Sequence, residues 1–274
     1  MHMKKTILAI LILLVTFHAK ASSVDTVDIY SNAMHRAFKC VVIKPESYNK
    51  TNLSFPSVYI LHGYGGWYSN WIIRVPQLNE YADKYNMILV CPEGGNASWY
   101  FDSPVDSNSK FETYISTEVP DYIDDHYRTI RNRKSRAITG LSMGGHGALF
   151  IAFRHADQFS ACSSISGGVD LKNSKAKFEI QKVLGDSARY PRNWIDYSVT
   201  TVVEKKPSDT LAIMIDCGVN DFFLPENREL HLALLRLKYP HDYVERPGQH
   251  DWAYWRGNIE YQLLFFQRHL IISN

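Results

Sequence analysis

One stretch of the chain dictates how its centre folds. Residues 135–153 are predicted to form a short apolar strand followed at once by a helix, with Gly140-Leu141-Ser142-Met143-Gly144 at the join. So sharp a turn needs glycine on both sides of the serine, because a flanking Cβ atom would clash. The strained turn lifts the Ser142 hydroxyl clear of the sheet and leaves the Met143 N–H at a helix N-terminus, where it can donate to an oxyanion. This stretch, called the elbow below, therefore predicts a nucleophile and its electrostatic support in one turn.

Strand and helix patterns alternate on both sides of the elbow. An antiparallel strand pair is predicted at residues 27–30 and 37–43, and the strands that follow are predicted at residues 57–61, 87–91, 136–139, 159–165, 211–215 and 242–246. Helices are predicted at residues 77–85, 111–127 with a kink at Pro120, 148–153, 225–238 and 252–270. Such alternation specifies an α/β fold, with a mostly parallel central sheet and helices on both faces. Residues 167–209 are expected to be irregular, and whether they form a lid is left open.

The length of the chain is consistent with a single α/β domain. The chain has 274 residues, of which 30 are Lys or Arg and 28 are Asp or Glu. A chain of this size can bury a full core in one α/β domain. The nearly balanced charge argues against a protein that binds nucleic acid.

The N-terminus has the three parts of a secretory signal peptide. Two lysines precede an apolar run at residues 6–17, and the small residues Ala19 and Ala21 follow it. The run is shorter than the roughly 20 apolar residues that span a bilayer, so a stable membrane anchor is not expected. We therefore expect cleavage after Ala21, export to the periplasm or the extracellular space, and one domain over residues 22–274.

Four cysteines lie in or beside apolar, strand-like runs, with no C-x-x-C spacing. Buried free thiols are the expected state of Cys40, Cys91, Cys162 and Cys217. A bridge between Cys162 and Cys217, on neighbouring predicted strands, remains open because an exported protein can form disulfides.

The loops after the predicted strands supply partners for the serine. In sheets of this kind, functional groups lie beyond the carboxyl ends of the strands. The loop at residues 62–66, His-Gly-Tyr-Gly-Gly, lets backbone N–H groups approach a substrate. The N–H of Tyr64, together with that of Met143, is expected to form an oxyanion hole.

Two further loops supply an acid and a base. Asp221 falls in the turn after the strand at residues 211–215, whereas Asp216 is still within the strand and is expected to be structural. His250 lies between the last strand and the last helix. The order Ser142, Asp221, His250 is that of the α/β-hydrolases.

Other histidines are alternative candidates for the base, and several aromatic residues are candidates for substrate contacts. His62 and His146 are expected to pack or to form local hydrogen bonds, and His231 and His241 to lie at the surface. Aromatic side chains cluster on loops at the predicted catalytic edge, and about half are expected to serve only packing. Those predicted to contact substrate are Trp67, Trp99, Phe222 and Trp252; the rest of the cluster is Trp71, Trp255, Tyr68 and Tyr100.

Together these motifs resemble the esterase D-like branch of the α/β-hydrolases over nearly all of the mature chain. That branch includes feruloyl esterases, acetyl esterases, S-formylglutathione hydrolase and the mycolyltransferases. The resemblance implies Ser142 as nucleophile, Asp221 as acid, His250 as base, and Tyr64 and Met143 as oxyanion donors. The motifs that carry it are Leu61-His-Gly-Tyr-Gly-Gly66, Gly140-Leu-Ser-Met-Gly-Gly145, Cys217-Gly-Val-Asn-Asp221 and Gly248-Gln-His-Asp-Trp252.

The expected activity is that of an exported serine esterase that acts through an acyl-enzyme and needs no cofactor or metal. The expected substrate is a small-molecule or polysaccharide ester, with an acetyl or feruloyl acyl group. Three alternatives stay open: a thioesterase like S-formylglutathione hydrolase, an acyltransferase, and a non-catalytic relative that binds carbohydrate. The sequence leaves the oligomeric state undetermined.

Overall fold

The computed structural model describes residues 22–174, 178–205 and 211–272. The expected signal peptide at residues 1–21 lies outside the described residues. Eight strands form one sheet in the described part of the chain. They are β1 Ser23–Ser31, β2 Arg36–Lys44, β3 Ser57–Leu61, β4 Ile88–Pro92, β5 Arg136–Gly140, β6 Ala161–Ile165, β7 Ala212–Gly218 and β8 Asp242–Arg246.

The strand order is β1-β2-β4-β3-β5-β6-β7-β8. β1 pairs antiparallel with β2, and β2 pairs antiparallel with β4. Every later pair, from β4–β3 to β7–β8, is parallel. The predicted antiparallel strand pair and the mostly parallel sheet are both confirmed, and the elbow strand β5 lies near the middle of the sheet.

The central strands β3 to β6 are buried throughout because both faces of the sheet are covered. In β3, Tyr59 and Leu61 join the core on one face, while Val58 and Ile60 join the core on the other. This alternation follows from the two-residue period of a strand. Burial on both faces explains why β3 reads as a continuous apolar run.

Ten helical segments cover the sheet in the described residues. α5 and α9 pack on one face, and α2 and α10 pack on the other. The segments are α1 Asn70–Arg74, α2 Leu78–Tyr85, α3 Phe111–Thr113, α4 Val119–His126, α5 Met143–Arg154, α6 Ile180–Leu184, α7 Pro191–Asp196, α8 Val199–Lys205, α9 Leu224–Arg236 and α10 Trp252–His269.

The helix predicted at residues 111–127 is interrupted. A π-helical turn at Tyr114–Glu118 separates α3 from α4, and Pro120 lies in the first turn of α4. Proline has no N–H to donate to the carbonyl four residues earlier. A wider turn before the proline is one of the recognised ways in which a helix accommodates that loss. The expected kink is therefore realised as a π turn.

The segment expected to be irregular, residues 167–209, is largely helical where it is described. It contains a 3₁₀ turn at Leu171–Asn173 and then α6, α7 and α8. The three helices are only five to seven residues long. Helices this short depend on tertiary packing, which explains why no apolar period of a single helix is visible in the sequence. Residues 175–177 and 206–210 lie outside the described residues.

All four cysteines are buried and free. In the register of the sheet, Cys162 on β6 lies beside Ile213, and Cys217 on β7 lies beside Glu245 of β8. The prediction of free thiols is confirmed, and the Cys162–Cys217 bridge does not form. None of the described helices combines the length and the apolar character that a membrane span requires.

Candidate active site

The elbow holds Ser142 in a backbone conformation that few non-glycine residues adopt. Its φ is 54° and its ψ is −117°, and its N–H donates to the Ile165 carbonyl at 3.0 Å. A Cβ atom on Gly140 would lie 2.5 Å from the backbone of Gly144, and one on Gly144 would lie 2.5 Å from the carbonyl oxygen of His62. Both glycines are therefore needed for the turn, as the sequence predicted.

Ser142, His250 and Asp221 form a continuous hydrogen-bonded chain. The Ser142 Oγ lies 2.9 Å from His250 Nε2, and His250 Nδ1 lies 2.9 Å from Oδ2 and 3.1 Å from Oδ1 of Asp221. Asp221 is 4% exposed, and its Oδ1 also accepts the Phe223 N–H at 2.8 Å. Three loops thus bring together the three residues that the sequence singled out, in an arrangement that can move a proton from the hydroxyl to the imidazole.

The two backbone amides predicted to support an oxyanion lie beside this chain. In the loop after β3, the N–H of Gly65 donates to Asn96 at 2.9 Å and that of Gly66 donates within the loop at 3.0 Å. Among the described residues, neither the N–H of Tyr64 nor that of Met143 donates a hydrogen bond to a backbone carbonyl in the turns and loops. Met143 is the first residue of α5, so its amide also lies at the positive end of a helix dipole. Both amides are left with the capacity to bind an anion.

A network below the loop fixes its conformation. His62 Nε2 accepts the Gly94 N–H at 2.9 Å, and the Glu93 carboxylate accepts the N–H groups of Tyr68 at 3.0 Å and Gly95 at 2.9 Å. Burial acts to raise the pKa of Glu93, but the nearby His62 ring, whose Nε2 lies 3.5 Å from the carboxylate, and the hydrogen bonds from the two amides outweigh burial and hold the pKa below its usual value. The expected local role of His62 is confirmed, and Glu93 is a partner that the sequence did not reveal.

His146 belongs to the core behind the elbow. It is fully buried against Phe101 and Phe150, and its Nε2–H donates to the Tyr197 carbonyl at 2.9 Å. Burial lowers its pKa to about 3, since the charged imidazolium would be desolvated. The expectation that His146 packs locally is confirmed.

His231 and His241 form a half-buried pair. Their Nδ1 and Nε2 atoms are 2.8 Å apart, and the His231 ring stacks on Tyr243 at 4.2 Å. They are thus less exposed than the sequence predicted, because α9 and the loop before β8 pack their side chains together. Among the described residues, no group of three or more His, Cys, Asp or Glu side chains is arranged to hold a metal.

Asp216 is buried in β7 and makes no hydrogen bond to the triad. Its carboxylate accepts hydrogen bonds from Arg246, Tyr254 and, at 3.2 Å, Gln262. Burial raises its pKa, while the bonds from Tyr254 and Arg246 oppose that rise. These contacts tie β7 to β8 and α10. They agree with the predicted structural role and leave Asp221 as the acid beside the histidine.

The Ser142 hydroxyl and the His250 ring line a cavity of about 280 Å³. Trp67, 46% exposed, and Trp252 form part of its walls, and their contact with substrate stays a prediction. The ring of Phe222, 57% exposed, lies 4.3 Å from the His250 ring, centroid to centroid. The catalytic edge thus presents flat aromatic surfaces to a substrate.

The prediction that Trp99 contacts substrate is wrong. Trp99 is 1% exposed, its Nε1–H donates to the Phe178 carbonyl at 3.1 Å, and its ring meets His146 edge to face at 5.5 Å. The elbow helix and the segment before α6 enclose it in the core. Trp71 and Tyr100 are also buried, so much of the predicted aromatic cluster serves packing, as expected.

Three residues that line the cavity were missed by the sequence analysis. They are Asn70 and Arg74 on α1, and Phe178 from the segment before α6. A four-residue spacing directly after the glycine loop could have indicated that Asn70 and Arg74 share one face of a helix. Phe178 has no comparable signal, because its place depends on how residues 167–205 fold over the sheet.

The chain is similar to known proteins in both sequence and structure. A model of the family described as "Putative esterase" matches residues 31–266. The chain is 27% identical over 215 residues to an acetyl esterase of Caldicellulosiruptor saccharolyticus, covering 74% of this chain and 80% of that protein. It is 26% identical over 273 residues to a diacylglycerol acyltransferase/mycolyltransferase of Mycobacterium gordonae, covering 86% of this chain and 78% of that protein.

The solved structure of a ferulic acid esterase superposes with a TM-score of 0.79 and 29% sequence identity, over 92% of this chain and 99% of that one. The eight-stranded sheet, its helices on both faces and these matches identify the α/β-hydrolase fold. The chain therefore belongs to the putative esterase family and is a carboxylic ester hydrolase, with small-molecule esters as its class of substrate.

Proposed function

We propose that the chain is a serine esterase in which Ser142 is the nucleophile, His250 the general base and Asp221 the residue that orients the histidine. The observation that carries the proposal is the chain of contacts of 2.9 Å from Ser142 Oγ to His250 and of 2.9 Å from His250 to Asp221. A buried carboxylate on Nδ1 favours the tautomer whose Nε2 can accept a proton. The three groups come from three separate loops, so their alignment depends on the whole fold.

The proposed reaction has two steps. His250 Nε2 takes the proton of Ser142 as Oγ attacks the ester carbonyl. The tetrahedral oxyanion that forms accepts hydrogen bonds from the N–H groups of Tyr64 and Met143. The intermediate then collapses, the alcohol leaves with the proton from His250, and an acyl-Ser142 ester remains. Water attacks this ester with His250 again as base, which releases the acid and restores the serine.

The proposed substrate is an acetyl or hydroxycinnamoyl ester of a carbohydrate. The exposed aromatic side chains of Trp67 and Phe222 and the half-buried Trp252 in the cavity wall support this proposal, since aromatic faces suit sugar rings and phenolic groups. The similarity to an acetyl esterase and to a ferulic acid esterase supports it independently. The signal-peptide pattern at residues 1–21 supports export, so we propose that the reaction takes place outside the cytoplasm.

Replacement of the nucleophile tests the mechanism. Ser142→Ala is expected to lower kcat on p-nitrophenyl acetate by about 10⁴- to 10⁶-fold, since triad members act as a unit. It is also expected to abolish labelling by a fluorophosphonate probe. The matched control is Ser166→Ala, because Ser166 is also buried with a φ of 54° and its hydroxyl has no partner among the described residues. Activity and labelling of Ser142→Ala at the level of this control would refute the assignment.

Acyl transfer to an acceptor other than water is a second candidate. The similarity to a mycolyltransferase over 86% of this chain favours it. Product analysis with an added sugar distinguishes the two, because a transferase forms the acylated sugar at the expense of the free acid. Labelling of Ser142 by a fluorophosphonate probe would contradict the non-catalytic alternative. A comparison of the rates on S-formylglutathione and on oxygen esters tests the thioesterase alternative.

A further inference from the structure

Arg74 places an unpaired positive charge in the wall of the active-site cavity. It lies at the end of α1 and lines the same cavity as Ser142 and His250. Across residues 22–174, 178–205 and 211–272, no carboxylate lies within ion-pair distance of its guanidinium. An arginine without a carboxylate partner, in the same cavity as the Ser142 hydroxyl, is available to an anionic ligand.

Asn70 adds a second donor on the same helix face. Residues four apart on a helix are neighbours, so Asn70 and Arg74 present their side chains together. Asn70 is only 7% exposed, and its Oδ1 accepts the Trp67 N–H at 3.0 Å. That bond fixes the amide, and its Nδ2 donates to no group in the described part of the chain. The cavity wall thus carries a fixed neutral donor beside a cation.

An aromatic wall connects these donors to the catalytic histidine. The Arg74 Cζ lies 5.9 Å from the Trp252 ring, which contacts the Trp255 ring at 5.3 Å, and Trp255 contacts the His250 ring at 4.9 Å. Arg74 and Ser142 line the same cavity, so a ligand that fills this cavity can contact both groups. Cation and ester site belong to one binding surface.

We propose that the substrate carries a carboxylate, bound by Arg74 and Asn70, on the part of the ester that lies against Trp252. The guanidinium fork matches the geometry of a carboxylate and binds it through two N–H groups. A sugar acid combines that carboxylate with a ring face suited to tryptophan. The inference rests on the proposed serine-esterase function and narrows its carbohydrate ester to an acylated uronate.

A pair of matched esters tests the charge directly. 4-Acetoxybenzoate and 4-acetoxybenzamide have the same shape, but only the first is an anion at neutral pH. We expect the wild-type enzyme to favour the anion in kcat/KM by about tenfold, the effect of one charge-assisted hydrogen bond. The ratio is expected to fall toward one in Arg74→Gln and in 0.5 M salt, which screens exposed charges.

The control variant is Arg236→Gln, which removes the same charge from α9, outside the cavity lining. It is expected to keep the wild-type preference for the anion. Asn70→Asp is a second test, because Asp can still accept the Trp67 N–H while it places a negative oxygen beside Arg74. This variant is expected to favour the neutral amide.

The outcomes separate the inference from the function on which it rests. A wild-type ratio near one at low salt, or an equal loss of preference in Arg236→Gln, overturns the carboxylate site and leaves the esterase intact. Failure of the wild-type enzyme to hydrolyse either ester overturns the proposed function instead. A methyl glycoside of acetylated galacturonate, compared with its carboxamide and with S-formylglutathione, identifies the source of the carboxylate. Preference for the thioester overturns the sugar-acid assignment.

Discussion

Asp216 and Asp221 stand five residues apart on the same strand and loop, yet they serve different parts of the molecule. Asp216 lies inside the sheet, where Arg246, Tyr254 and Gln262 surround its carboxylate. Asp221 lies beyond the end of β7, where its carboxylate accepts from the Phe223 N–H and contacts His250. Both side chains are almost fully buried.

Burial alone therefore does not distinguish the two acids, and their bonding partners do. Both acids connect β7 to the region around β8 and α10. Asp216 accepts hydrogen bonds from Arg246 on β8 and from Tyr254 and Gln262 on α10. Asp221 instead meets a histidine ring whose other nitrogen is 2.9 Å from a serine hydroxyl. We therefore expect the role of such an acid to depend on what its bonding partner contacts in turn. His250, the partner of Asp221, contacts the Ser142 hydroxyl, whereas the partners of Asp216 are bonded within the fold.

Among the variants that test this comparison, Asp221→Asn is expected to have the largest effect, a loss of kcat. The amide oxygen can still accept the Phe223 N–H, so the turn is kept, but the other position becomes a donor and favours the wrong tautomer of His250. We expect kcat on p-nitrophenyl acetate to fall by about 10⁴-fold, with little change in the urea midpoint. A large loss of stability with normal turnover would reverse the roles assigned to the two acids.

Asp216→Asn is expected to act mainly on stability. The variant keeps an oxygen for Tyr254 but leaves the Arg246 guanidinium without its charged partner. We expect a decrease of about 2 to 3 kcal/mol in the free energy of unfolding, less than for a fully buried pair because Arg246 can turn toward solvent. Urea denaturation measures this change. Turnover of the folded variant is expected to stay within the same order of magnitude as the wild type, and an equal catalytic loss in both variants would contradict the distinction.

Tyr254→Phe is expected to have the smallest effect. It removes one hydroxyl donor from Asp216 and leaves the ring packed in α10, so the free energy of unfolding is expected to fall by about 1 to 2 kcal/mol. kcat is expected to stay unchanged, because the hydroxyl bonds no member of the triad. A fall in kcat of more than tenfold at full folding would mean that the Asp216 network controls the position of His250.

The sequence predicted the contacts among Ser142, Asp221 and His250 well because the placement of these residues depends on local rules. The glycines at positions 140 and 144 permit a turn that other residues cannot make, and this turn sets the strand before it and the helix after it. The edge of a parallel sheet then brings the following loops together. The order of Ser142, Asp221 and His250 was therefore enough to predict the contacts observed among them.

The cavity walls were predicted less well because they depend on tertiary packing. Trp99 follows a strand end, as a substrate contact can, but Phe178 covers it. Asn70 and Arg74 belong to a five-residue helix that no apolar period predicts. The side chains proposed to select a substrate were thus the ones that the sequence left least determined.

The four free cysteines have a practical consequence for making the protein. Each thiol is buried within the sheet, and burial raises its pKa, to about 12 for Cys91, so little reactive thiolate forms near neutral pH. The four cysteines of the described strands form no crosslink, so we expect folding not to depend on an oxidising environment. We expect the predicted mature chain, residues 22–274, to fold in a reducing bacterial cytoplasm without an oxidative refolding step.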